Sequence, residues 1–109
     1  MDAKIKELYI QLRNDTAAFM IYQDRNIIKK TYPIMSVIQE FSEWFMQENQ
    51  FGIEEEEYLI LCRNLVSILE DLLVAIEQND VVLMNDALAY GMLDYLKLFC
   101  DVEEGEEER

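Results

Sequence analysis

The stretch from Tyr58 to Phe99 constrains this chain most. It reads YLILCRNLVSILEDLLVAIEQNDVVLMNDALAYGMLDYLKLF. Leu59, Cys62, Val66, Leu69, Leu73 and Ile76 recur at spacings of three and four, the period of one helix face. Leu65, Leu72 and Ile68 flank that face. Gln78-Asn79-Asp80 interrupts the pattern, and Asp80 is a good N-cap for a second helix. From Val81 to Cys100 the charged residues are Asp86, Asp94 and Lys97, so apolar side chains occupy nearly the whole circumference. A helix that is apolar all round is buried on more than one side. Neither helix can bury its surface alone, so the first half of the chain must cover both.

That first half has matching periodicity. Ile5, Leu8, Leu12, Phe19 and Tyr22 form one stripe, interrupted around Asp15 and Thr16. Gln23-Asp24-Arg25-Asn26 reads as a turn. Two readings of the next segment compete. Either the first helix runs on to Lys30 and Pro33 opens the second, or the second starts near Ile27 and Pro33 kinks it. Beyond Pro33, Ile34, Val37, Ile38, Phe41, Trp44 and Phe45 make a broad apolar face. Shifting the chain by 54 positions lays Ile5 on Leu59, Leu12 on Val66, Phe41 on Tyr95, Phe45 on Phe99 and Asn26 on Asp80. This repeat is in apolar pattern and not in identity. It favours the turn at 24–26 and the kink at Pro33.

Gly52 is the expected terminator of the middle connection. Glu54 to Glu57 place four carboxylates where the third helix begins, favourable at the positive end of its dipole. The run reads plainly as a solvated helix start; the sharper reading is a cation or basic-peptide site. The tail, DVEEGEEER, carries six acidic residues in nine and is expected to be disordered. Residues 1–100 are therefore taken as one helical domain and 101–109 as an acidic tail.

The net charge of −14 is unevenly placed. Residues 1–50 hold six Lys/Arg against seven Asp/Glu; residues 51–109 hold three against sixteen. Such a surface repels phosphate backbones and anionic lipid, so nucleic acid and membrane are poor partners. A protein or an amphipathic, basic peptide is the natural complement. The N-terminus lacks an apolar signal core, and no uncharged run reaches the ~20 residues of a membrane span, so a cytoplasmic location is expected. Cys62 and Cys100 admit a disulfide as a pair, but their apolar helical settings read as two reduced, buried thiols.

The chain contains no histidine, which removes Ser-His and Cys-His pairs and imidazole metal sites. It has no CxxC, no GxGxxG, no GxxxxGK[ST] and no DxDxDG calcium loop. No catalytic residue, metal ligand or cofactor is assigned, and the chain is not expected to be an enzyme. Asp86 and Tyr90 are one turn apart and suit a hydrogen-bonded pair in the bundle or at an interface; the plainer reading leaves both on a solvated strip.

The residues Asp80, Asp86, Leu88 and Tyr90, within AIEQNDVVLMNDALAYGM, resemble a pattern in small uncharacterised four-helix-bundle proteins of Gram-positive bacteria. There a turn ending in Asp precedes an apolar helix carrying Asp, Leu and Tyr. Those proteins usually have an acidic residue after the Tyr, where this chain has Gly91. The resemblance implies a fold and not an activity. A looser similarity, in architecture and charge alone, is to flagellin export chaperones.

These readings predict an all-α, antiparallel up-and-down four-helix bundle made of two helical hairpins, with helices near 3–23, 27–49, 54–78 and 81–100. The expected core is Leu12, Phe19, Ile38, Phe41, Phe45, Leu59, Val66, Leu69, Leu73, Val82, Leu88, Tyr95 and Phe99. The apolar surplus of the fourth helix makes Met84, Asp86, Tyr90, Met92, Leu93 and Leu96 the candidate interface. The expected function is a non-enzymatic adaptor or chaperone-like interaction module. The alternative is a structural homodimer joined through helix 4.

Overall fold

The computed structural model describes residues 2–49 and 52–100, and they are all-helical, with four helices and no strand. The acidic tail falls outside the described residues. Helix α1 spans Asp2–Tyr22. Helix α2 covers 27–45 in three pieces: α-helical Ile27–Thr31, a 3₁₀ turn at Tyr32–Ile34 and α-helical Met35–Phe45. Helix α3 spans Glu55–Gln78. Helix α4 covers 81–97, with α-helical Val81–Ala87, a π turn at Leu88–Met92 and α-helical Leu93–Lys97.

Local chemistry explains the punctuation. Pro33 has no N–H for the Lys29 carbonyl, and the chain tightens into the 3₁₀ turn there without ending the helix. Of the two readings for this segment, a helix that begins at Ile27 and bends at Pro33 is the one observed. Both α1 and α3 end on a left-handed residue, Gln23 at φ 58 and Asn79 at φ 54. The Asp80 amide reaches back to the Ala75 carbonyl at 2.9 Å, closing α3 with a Schellman bond. The Asp80 carboxylate then accepts from the Leu83 amide at 3.0 Å and caps α4. In the first turn, Asp24 accepts from the Asn26 amide at 3.0 Å and from Lys30 Nζ at 2.6 Å. Helix α2 ends at Phe45 on a right-handed Met46, before the expected end at 49, so Gly52, at φ +69, bends the connection just ahead of α3 and does not terminate α2.

Helix α4 is the hub: it packs against α1, α2 and α3. Met84, Leu88, Met92 and Leu96 are fully buried along it, beside Leu12, Ile38, Leu65 and Leu72. The α3–α4 approach is close at Gly91, where a Cβ would sit 3.0 Å from the Ile68 side chain. At one end an aromatic cluster joins three helices. Phe45 meets Tyr95 edge-on at 5.3 Å and stacks with Tyr58 at 6.0 Å, while Trp44 meets Phe99 at 4.8 Å. The Tyr58 hydroxyl donates to the Phe45 carbonyl and the Tyr95 hydroxyl to the Leu61 carbonyl, both at 2.8 Å.

Three buried hydroxyls were not expected in the core: Thr16, Thr31 and Ser42. Each donates one turn back, to the carbonyls of Leu12, Ile27 and Ser42's neighbour Ile38. A side chain that satisfies itself on its own helix can face an apolar interior at little cost. The apparent gap in the α1 stripe at Thr16 is thus part of the packed face.

The expected core also needs correcting. Leu59, Val66, Leu73 and Val82 are exposed, and Phe19, Leu69 and Phe99 are only partly covered. On α3 the buried residues are Tyr58, Leu65, Leu72 and Ala75. The flank of the predicted stripe faces inward, and half of the stripe itself faces out.

Candidate functional site

The apolar row on α3 has a coiled-coil spacing. Leu59, Val66 and Leu73 are seven apart, and Cys62, Leu69 and Ile76 are the intervening residues three further on. In heptad letters these are the a and d positions. The g positions are Tyr58, Leu65 and Leu72, which pack into this chain's own core. The e positions include Arg63, Glu70 and Glu77, all exposed. Helix α3 therefore buries one edge of its apolar arc against α4 and leaves the neighbouring shoulder open.

That shoulder is substantial. Leu59, Val66 and Leu73 are 45%, 41% and 58% exposed, against 0% for Leu65 and Leu72. Cys62, Leu69 and Ile76 are half-buried at its inner edge. Two shallow depressions follow it. One is lined by Leu59, Cys62, Arg63, Val66, Ser67 and Glu70. The other lies between α2 and α3, where Met35 and Gln39 face Leu69 and Leu73. Gln39 donates to Glu43 at 3.5 Å, so a carboxylate also stands on the α2 side.

The helix pair α2–α3 touches less than α3–α4, which is why a cleft rather than a core separates their outer halves. Burial acts only on the inner side of α3. There it holds the Tyr58 phenol up at about 12, with the nearby Cys62 thiol adding to the shift. Burial also raises Tyr95. Both phenols stay protonated and hold their hydrogen bonds at neutral pH. Cys62 and Cys100 are free thiols.

The candidate residues on α4 are placed differently from expectation. Met84, Met92 and Leu96 are fully buried, and Leu93 is half-buried. Their apolar surface is consumed inside the molecule, because α4 has three neighbours rather than one. Asp86 and Tyr90 are exposed, with Tyr90 at 69%, and the Tyr90 hydroxyl lies 3.9 Å from Met20 Sδ. Tyr90 thus joins Met20, Ile21 and Tyr22 in a second exposed apolar patch at the end of α1.

Other polar clusters are structural. Asp24, held down chiefly by its hydrogen bond to Lys30, fastens the first turn. Asp15 is pushed up by burial, against the opposing pull of Lys30. Among the described residues no group of three or more His, Cys, Asp or Glu is placed to hold a metal ion, and no helix is long and apolar enough to cross a membrane. Compared with family models, with curated proteins and with solved structures, the chain has no match.

The row at 59, 66 and 73 is visible in the sequence. What sequence periodicity does not contain is the direction in which α3 is rotated about its axis. Small residues at the α3–α4 approach, Ala75 and Gly91, are the one local signal of which edge faces in.

Proposed function

We propose that this chain is a non-enzymatic protein-interaction module whose contact surface is the outer shoulder of α3. The observation that carries it is the heptad row Leu59, Val66 and Leu73, exposed in register along one helix face and beside a cleft. Isolated exposed leucines are ordinary; a continuous row at coiled-coil spacing beside a cleft is the form of a helix-binding surface. The scaffold behind it is read as an up-and-down antiparallel four-helix bundle of two hairpins. Three ties support that reading. Lys4 near the start of α1 meets Glu40 in the later part of α2 at 2.9 Å. The start of α3 bonds to the end of α2 through Tyr58. The end of α4 bonds to the start of α3 through Tyr95.

The homodimer reading loses its helix 4 contacts, since Met84, Met92 and Leu96 are core. The test is a comparison of cross-linked partners captured from the source cells by the wild-type chain and by a Leu59→Glu, Leu73→Glu double variant. The proposal expects a partner that the variant loses while its far-UV circular dichroism and Tm are unchanged. Capture that is identical for both chains would sink it.

A further inference from the structure

From the charges around the shoulder we infer the class of partner: an amphipathic helix of another protein, with Lys or Arg on the flanks of its apolar seam. This rests on the reading of the α3 shoulder as the contact surface and adds what binds there. Helix α3 carries six carboxylates and one guanidinium. Glu70 and Glu77 stand on the outer rim of the row, seven residues and about 10 Å apart along the axis. Gln39 and Glu43 stand on the α2 side. An occupant of the cleft is therefore met by carboxylates on both flanks of its apolar contact. The row from Leu59 to Leu73 is about 21 Å long, enough for roughly four turns of a bound helix.

A second copy of this chain is the poorer occupant. Paired parallel, it would bring its own Glu70 and Glu77 against the same rim; paired antiparallel, it could offer only Arg63 to Glu70 and would leave Glu77 unmatched, and each copy carries a net charge of −14. Like charges facing across a helix seam oppose pairing, and opposite charges at the flanking positions select the partner. A partner with cations seven residues apart satisfies Glu70 and Glu77 together. Arg63, one heptad earlier, asks for a neutral or acidic residue at the matching end, which sets the direction of the bound helix. Met35 on the cleft wall supplies an adaptable contact for the partner's apolar side chains.

The test uses three synthetic helical peptides of roughly 18 residues at about 0.15 M salt. One has Leu at a and d and Lys at e and g. The second replaces every Lys with Glu. The third is a scramble of the first, with the same charge and no apolar seam. Binding to the wild-type chain is measured by calorimetry and fluorescence anisotropy. The Lys peptide is expected to bind one to one, and at least about tenfold tighter than either control. Leu73→Glu should remove that advantage. Glu70→Lys with Glu77→Lys should reverse the preference between the Lys and Glu peptides.

Equal binding of the Lys and Glu peptides, or of the Lys peptide and its scramble, overturns the inference. If Leu73→Glu abolishes binding while the charge reversal does nothing, the shoulder stands and the basic partner falls. If the charge reversal acts while Leu73→Glu does not, the shoulder itself is wrong. A wild-type dimer in sedimentation that Leu73→Glu dissociates would give the site to a second copy and overturn the basic helix. Circular dichroism of each variant establishes that it is folded.

Discussion

Helices α3 and α4 are both rich in apolar residues, α4 the more so, and they have opposite fates. Helix α4 has neighbours on three sides and buries Met84, Leu88, Met92 and Leu96 completely. Helix α3 leans mainly on α4, buries Tyr58, Leu65, Leu72 and Ala75, and leaves Leu59, Val66 and Leu73 in solvent. The richer helix is thus the core, and the helix with the ordinary polar stripe carries the surplus. Apolar content sets how much surface must be covered. Position in the fold decides which helix is left with an uncovered part.

The largest expected effect is a pair of charge insertions, one per helix. Leu96→Glu puts a carboxylate into a site with no exposure and should abolish the cooperative thermal transition; Leu96→Ala should cost about 2–5 kcal/mol in urea unfolding. Leu73→Glu should change stability by no more than about 0.5 kcal/mol. If both carboxylates were equally damaging, the contrast between the helices would be lost. Next is the approach between them. Gly91→Val should cost about 1–3 kcal/mol, because the added carbons meet Ile68, and Ile68→Ala in the same chain should recover part of it. A Gly91→Val chain as stable as wild type would mean that α3 and α4 do not meet there.

Smaller effects refine the picture. Asp80→Ala removes the α4 cap and should cost about 1 kcal/mol, read as a lower Tm. The inner side of α3 also has a pH signature. Tyr58 ionises near 12 when folded and near its ordinary value when unfolded, so its contribution is complete below pH 10 and is lost as pH rises toward 12. Unfolding free energies measured across that window should fall less steeply for Tyr58→Phe than for wild type. An unchanged slope would place Tyr58 on the solvent side.

Much of this was legible in the sequence, and the failures share one cause. The turns, the bend at Pro33 and the Asp80 cap follow from local chemistry, so residues within a few positions suffice to read them. The heptad row on α3 was equally visible. Its direction was not, because apolar residues on α3 span more than one face and either edge could pack on α4. Leu65 and Leu72 won over Leu59 and Leu73 through a tertiary choice. The same holds for Met84, Met92 and Leu96, whose surplus exists only until α1 and α2 are in place. Thr16, Thr31 and Ser42 are polar by residue type, and what lets them into the core, a bond from each hydroxyl to a carbonyl of its own helix, appears only in the fold. The π turn at Leu88–Met92 has no sequence signal beyond Gly91.

The central claim is that the outer shoulder of α3, and not α4, is the binding surface. An NMR titration of labelled protein with the Lys-flanked peptide tests it most directly. The account predicts amide shifts concentrated at Leu59, Val66, Leu73, Glu70 and Met35, with Asp86 and Tyr90 still. Shifts centred on Asp86 and Tyr90, or scattered over every acidic residue alike, would contradict it.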